Sequence, residues 1–177
     1  MGPPFVLLEV GALARIARSK EGLEVAYGIL RPTQVAGVAG VASGPDLGLV
    51  LTAWLDSVTL EWPVERIRAL AAIDGAFALD LLNLAIELAA ALTAELEELR
   101  SVSAETRLAR ILIRYPDLLF DAERPRLRRG TIATLMGTSR EMMERCLRAL
   151  ESERIIERTG SHGLILLDTE ALRRVAG

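Results

Sequence analysis

From Gly75 to Arg100 the chain keeps one helical periodicity without a break, and that helix carries two apolar stripes. Leu82, Ala85, Ala89, Leu92, Leu96 and Leu99 step by threes and fours, the spacing of a coiled-coil seam. Leu81, Leu84, Leu88 and Ala91 form a second row beside it. A helix with two such rows needs two surfaces to bury against, because apolar area left in water forgoes its main stabilising term. The expected arrangement has the chain's own N-terminal domain on one side and the same helix of a second copy on the other, a homodimer. The alternative is a helix fully buried inside a monomer, for which residues 5–63 supply little covering mass. The same stretch is the most apolar of the chain, but Asp80, Asn83 and Glu87 interrupt residues 76–96, so no membrane span is expected.

On either side of this helix the pattern differs. Residues 5–63 read as a small β structure: Leu23, Val25, Tyr27 and Ile29 alternate with their neighbours, as do Leu47, Leu49, Leu51 and Ala53, then Val58, Leu60 and Trp62. Ser19-Lys20-Glu21-Gly22 suits a hairpin turn, and Pro32 and Gly44-Pro45 mark loops. Pro63 suits the first turn of a short helix through Val64, Ile67 and Leu70. After the long helix, Ser101-Val102-Ser103 reads as a joint, followed by a helix from Ala104 to about Arg114 and a break at Tyr115-Pro116-Asp117. Residues 155–159 and 164–167 flank the turn Gly160-Ser161-His162-Gly163 as a closing hairpin.

Several function classes are excluded by what the chain lacks. Its single cysteine, Cys146, allows no intrachain disulfide and no CxxC pair, and its single histidine is His162. Neither a cysteine or histidine metal cluster nor the usual catalytic triads can be assembled within one chain, so an enzyme is not expected and no cofactor or metal is implied. The start, Met1-Gly2-Pro3-Pro4, lacks the basic segment of a secretory leader, and a cytoplasmic location is expected. The net charge of −3 hides an asymmetry. Residues 1–100 carry 7 basic and 13 acidic side chains, whereas residues 101–177 carry 14 and 11. Between 124 and 148, 7 arginines face only Glu141 and Glu144. A basic segment in an acidic chain suits a polyanionic partner; a solvated charged surface is the other reading.

That basic segment has its own internal logic. A short helix ending near Met136, a tight turn at Gly137 and a second helix starting after Ser139 form a helix-turn-helix pattern. Gly137 suits the left-handed turn, Ser139 is a favoured N-cap, and Ala133 is small where two helices would cross. On the second helix Met143, Cys146, Leu147 and Leu150 share one face; Glu141, Arg145 and Arg148 point the other way, with Arg140 at the helix start. Arginine can bond guanine in bidentate fashion, and glutamate can accept from the cytosine amino group. An amphipathic surface helix, with Glu141 merely complementing the helix dipole, would show the same pattern.

Ser139-Arg140-Glu141-Met142-Met143-Glu144-Arg145 resembles the Ser-Arg-Glu-x-x-x-Arg of the cyclic-AMP receptor protein/Fnr (Crp–Fnr) regulators, and residues 151–167 resemble that family's closing strand pair, its wing. Arg107-Leu108-Ala109 resembles the start of its DNA-binding domain. The resemblance implies an α+β chain: a reduced, jelly-roll-like β-roll over 1–74, a dimerisation helix over 75–100, and a winged helix-turn-helix domain over 101–177. It implies Arg140, Glu141 and Arg145 as base-reading residues. Arg129 and Ser139 are implied as phosphate contacts, and Arg128, Arg148, Arg158 and His162 join them as phosphate candidates. The partners implied are double-stranded DNA, read as an inverted repeat with half-sites close to TGTGA, a second copy of the chain, and RNA polymerase.

The sequence departs from the family in two places. Gly130-Thr131 stands where the family usually has an acidic residue before Ile-Ala. In the roll, Val10-Gly11, Lys20-Glu21-Gly22 and Thr33-Gln34-Val35-Ala36-Gly37 resemble successive landmarks, yet Phe5 already falls among the middle strands, so the opening helix and first strands are expected to be missing. Nucleotide binders of the family place Glu after a Gly, and an Arg-Ser pair later. Here Val38 follows Gly37, the later stretch reads Asp46-Leu47-Gly48-Leu49, and the long helix carries Leu92 beside Thr93. Without those groups a cyclic phosphate loses its charge-assisted bonds, and action without cyclic AMP is expected. The glycines of Gly37-Val38-Ala39-Gly40 read as turn formers, with backbone amides for an anion as the alternative. Two rival functions remain at this stage: a sensor of another small effector in the roll, and a winged-helix module for protein contacts only.

Overall fold

The computed structural model describes residues 4–18, 24–42, 49–120, 127, 129–160 and 163–177, apart from the side chains of Leu49, Leu99 and Arg129. The Ser19–Gly22 turn and the Gly44-Pro45 loop lie outside the described residues. The chain divides into two compact units, Met1–Arg18 with Tyr27–Leu96 and Ser19–Ala26 with Glu97–Gly177, so that one division falls inside the long helix.

In the first unit six strands form two three-stranded sheets, in the orders β4-β1-β6 and β3-β2-β5. The strands are β1 (Phe5–Val10), β2 (Leu13–Arg18), β3 (Glu24–Leu30), β4 (Val35–Ala36), β5 (Leu49–Ala53) and β6 (Val58–Trp62). Register is antiparallel, with Leu7 opposite Leu60 and Ile16 opposite Val50. A bulge between Leu8 and Val10 ends the clean pairing of β1 and β6. At Gly11 (φ 99°) a Cβ would stand 2.3 Å from the Asp56 carbonyl oxygen, so only glycine fits that corner. The strand alternation drifts in phase on β3: of the expected row Ile29 is buried but Val25 and Tyr27 are only half-buried, while Ala26 and Leu30 are buried, the change falling at Gly28 with φ 85°. On β6 Val58 and Leu60 are exposed and Trp62 is half-buried.

Two apolar clusters hold this unit. Val6, Leu8, Leu13, Leu30 and Ala36 are buried together, with Leu51 against them. Phe5, Val38, Ile67 and Leu81 form the second, joined by Trp62, Phe77, Leu84 and Ala85. The four-residue helix α1 (Val38–Val41) is tied down at its C-terminal carbonyls by Arg68 of α2 (Val64–Ile73), which donates to Val41 O at 2.9 Å and Gly40 O at 3.1 Å. Gly37 precedes it at φ 91°, and a Cβ there would stand 2.5 Å from the Pro4 carbonyl oxygen. The Gly37–Gly40 segment is thus a turn and a short helix built into the core.

The long helix α3 runs from Gly75 to Ser101. Its Leu81, Leu84 and Ala85 pack on the second cluster. The face left open consists of Leu79, Leu82, Ile86, Ala89, Thr93 and Leu96, again spaced by threes and fours. The expected seam lies only partly on this open face. Leu82, Ala89 and Leu96 are open, but Ala85 belongs to the roll side, Leu92 is half-buried, and the Leu99 side chain is outside the described part. The helix from Gly75 to Glu98 is also long and apolar enough to cross a bilayer even with Asp80, Asn83 and Glu87 in it. Those three residues do not by themselves decide between lipid and a second protein surface.

The second unit is built around α4 (Ala104–Arg114), whose Leu108, Ala109, Ile111 and Leu112 are buried. Ser103 caps it, accepting from Thr106 N–H at 3.0 Å. The short α5 (Pro116–Leu119) follows, then α6 (Arg129–Met136), α7 (Arg140–Ser152), the hairpin β7 (Ile156–Thr159) and β8 (Gly163–Leu166), and α8 (Thr169–Ala176). Helices α6, α7 and α8 all pack on α4. Helix α8 is not among the elements that the sequence pattern predicts. Asp168 caps it, accepting from Ala171 N–H at 2.8 Å, and Leu172 and Ala176 are buried.

Candidate nucleic-acid interface

The turn between α6 and α7 is locked at three points. Gly137 takes φ 59°, Thr138 N–H donates to Ala133 O at 3.1 Å, and Arg107 Nη1 donates to Met136 O at 2.8 Å. The glycine lets the chain reverse, and the guanidinium satisfies a helix-end carbonyl that would otherwise lack a partner. Ala133, only 5% exposed, lies on the buried side of α6. Ser139 then opens α7 in extended conformation, and its hydroxyl accepts from Met142 N–H at 3.2 Å.

On α7 the two faces separate as the spacing requires. Met143, Cys146, Leu147 and Leu150 are buried, and Arg140, Glu141, Arg145 and Arg148 are exposed. The Cys146 thiol is pushed up from its ordinary pKa by burial, so it is held as an apolar core group. The Glu141 carboxyl is held below the usual carboxylate value by backbone hydrogen bonding at the helix start, then by the Ser139 hydroxyl, with Arg140 nearby. It is therefore an ionised acceptor at neutral pH. The Arg140 guanidinium lies over the first turn of α6, with Nη2 3.8 Å from where a Cβ on Gly130 would be. Arg145 Nη2 donates to Met142 Sδ at 2.7 Å. One outward surface thus presents three arginines and one carboxylate, on a helix whose back is wholly apolar.

A profile of the Crp-like helix-turn-helix domain matches residues 106–175. The chain carries a Crp-like helix-turn-helix domain. Solved structures extend the likeness over its whole length. A transcriptional regulator of the Crp/Fnr family from Eubacterium rectale superposes with a TM-score of 0.84 at 18% identity, over 97% of this chain and 80% of its own. FixK2 of Bradyrhizobium japonicum gives 0.80 at 20% identity, over 98% and 87%. The c-di-GMP-responsive global regulator CLP of Xanthomonas campestris gives 0.74 at 20% identity, over 94% and 85%. At these identities what is shared is the fold, an α+β chain of roll, long helix and winged helix-turn-helix. No curated protein matches the sequence. The chain thus joins a Crp-like helix-turn-helix domain to the fold of the Crp/Fnr regulators.

The remaining sequence-derived candidates fare unevenly. Arg128 and His162 lie outside the described residues, as does the side chain of Arg129. Ser139 is in place, its hydroxyl engaged as the cap. The side chain of Arg158 is 24% exposed and is held between two carboxylates of α7, Glu144 and Glu151. Arg107, read at first only as a family landmark, acts as the strut under the turn. The signal for it was an arginine amid the apolar residues of α4.

Proposed function

We propose that the protein is a homodimeric transcription regulator that reads an inverted-repeat DNA site through α7 of each copy and acts without cyclic AMP. The observation that carries the proposal is the outward face of α7. Arg140, Glu141 and Arg145, the side chains suited to guanine and cytosine edges, stand together there behind a serine cap, with the opposite face fully buried. A winged helix used only for protein contacts has no need of that chemistry on that surface.

Dimerisation is supported by the open face of α3, where Leu79, Leu82, Ile86 and Leu96 are each more than half exposed on one heptad-spaced line. A second copy of the same line covers it in register, and two recognition helices then meet half-sites about one helical turn, roughly 34 Å, apart. Independence from cyclic AMP is supported by Val38. It stands where the resemblance implies the ligand's glutamate, and it is buried against Phe5, Ile67 and Leu81.

Selection of bound duplexes from a random pool tests the proposal. The wild type should enrich an inverted repeat with half-sites close to TGTGA. Arg140→Ala or Arg145→Ala should each cost on the order of 1–3 kcal/mol per half-site and relax one base position. Glu141→Ala should relax another position with less loss of affinity. Variants that lose affinity evenly without changing the selected motif would show that α7 is not the reading element. Lipid vesicles are the control for α3: a chain that floats with them has its open face on a bilayer and not on a second copy.

A further inference from the structure

The wing is strapped to the recognition helix through one guanidinium. Arg158, on β7, donates from Nε to Glu151 Oε2 at 2.8 Å and from Nη1 to Glu144 Oε2 at 3.1 Å, and its backbone N–H reaches Glu151 Oε1 at 3.3 Å. Glu144 and Glu151 lie seven residues apart on α7, two turns along one side of the helix. A planar fork that bonds two carboxylates at once fixes direction as well as distance, which a point charge cannot do. Glu144 immediately precedes Arg145 and lies one turn beyond Glu141, so the same strap that holds β7 also bears on the reading end of α7. The Arg158 pKa is raised, chiefly by its hydrogen bond to Glu151, so the cation persists at any pH at which the fold does.

We propose that Arg158 is a positioning residue that sets the wing against the recognition helix, rather than a contact to DNA phosphate. The inference rests on the DNA-binding reading. With its charge matched by Glu144 and Glu151, Arg158 has little net field to offer a phosphate. What it supplies is a fixed angle between the β7–β8 hairpin and α7, so that helix and wing tip approach one duplex together. Losing the strap should weaken binding to the selected site while leaving the number of phosphates contacted unchanged.

Binding of the full chain to its selected duplex, titrated by fluorescence anisotropy across a salt series, separates the two roles. For Arg158→Met we expect about a tenfold loss of affinity, of the size of a lost charged hydrogen bond, with an unchanged slope of log K against log salt. A phosphate contact would instead make that slope shallower by about 0.9 for each phosphate lost. The swap E151R/R158E keeps the net charge and restores one arm of the strap, so it should recover at least threefold over Arg158→Met. With an acid facing DNA, a contact role predicts no recovery. Hydrogen exchange without DNA reads the strap directly: Arg158→Met should speed exchange in β7 and β8 and leave α4 unchanged. A shallower slope, a swap no better than Arg158→Met, or unchanged wing exchange each overturns the proposal. A wild-type chain that selects no duplex overturns the DNA-binding reading instead, and the exchange measurement still decides whether the strap exists.

Discussion

Ile86→Glu is the sharpest perturbation of the proposed dimer. Ile86 lies at the middle of the open line on α3 and is 58% exposed in the single chain. Full burial of such a side chain is worth about 1.5–3 kcal/mol, so the exposed part accounts for roughly 1–1.5 kcal/mol per copy when a partner covers it. Glutamate forfeits that in both copies and brings two carboxylates together near the two-fold axis, an uncompensated buried charge costing about 3–5 kcal/mol. The total is on the order of 5 kcal/mol or more, at least three decades in the dimer dissociation constant. Sedimentation equilibrium at micromolar concentration should show a dimer for the wild type and a monomer for Ile86→Glu. Ala91→Glu is the control, since Ala91 is exposed on the other side of the helix and should leave the dimer intact. A wild-type monomer, an undisturbed Ile86→Glu dimer, or equal dissociation by Ala91→Glu would each refute the reasoning.

Four further outcomes are expected. Adding cyclic AMP, or the c-di-GMP to which CLP responds, should leave the melting temperature unchanged; a clear rise would show ligand binding to the folded state and a misread roll. Ser139→Ala should cost about 1 kcal/mol of domain stability by denaturant titration, because Met142 N–H loses its cap. The folded pKa of Glu141 is depressed, so its stabilising contribution is fully present above the unfolded carboxyl value and is lost as pH falls through the lower folded value; the Ser139→Ala difference should therefore hold from pH 8 to 5 and shrink only in stronger acid. Arg154 sits at φ 57° after α7, with Ile155 N–H on Leu150 O and its own N–H on Glu151 O; Arg154→Gly should raise stability by about 0.5–1 kcal/mol, read as a higher melting temperature.

The helix-turn-helix and the two faces of α7 were legible in the sequence because their determinants are local. Ser139 and Gly137 mark the ends of α7 and of the turn by backbone chemistry that needs no distant partner. The spacing of Met143, Cys146, Leu147 and Leu150 fixes which side of α7 is inside, and hence that Arg140, Glu141, Arg145 and Arg148 are outside. The surroundings of Arg158 are hidden in the sequence for the converse reason. In sequence it is an arginine in a wing, and its partners are seven and fourteen residues away. Only the reversal at Arg154 and the pairing of Arg158 with Leu164 across the hairpin bring it onto α7. Charge counting places a cation on a segment and says nothing of whether a carboxylate has already taken it. Helix α8 was passed over because its apolar signal is two residues, Leu172 and Ala176, in a stretch otherwise polar.

The phase of the α3 seam shows the limit of reading spacing alone. Rows 82-85-89-92-96 and 79-82-86-89-93-96 share Leu82, Ala89 and Leu96, and both step by threes and fours. An α-helix has 3.6 residues per turn, so adjacent rows differ by only part of a turn, and apolar residues occur in each. Side-chain size would separate them, but Ala85 and Ala89 are alike in sequence and differ only in what the fold places over them. The roll decides the matter. Leu81 and Leu84 must reach Phe5, Val38 and Ile67, and Ala85, beside them on the helix, is drawn to that side. Ile86 and Leu79 are then turned outward together with Leu82 and Leu96. Which face of α3 is left open is thus set by what the N-terminal strands bury.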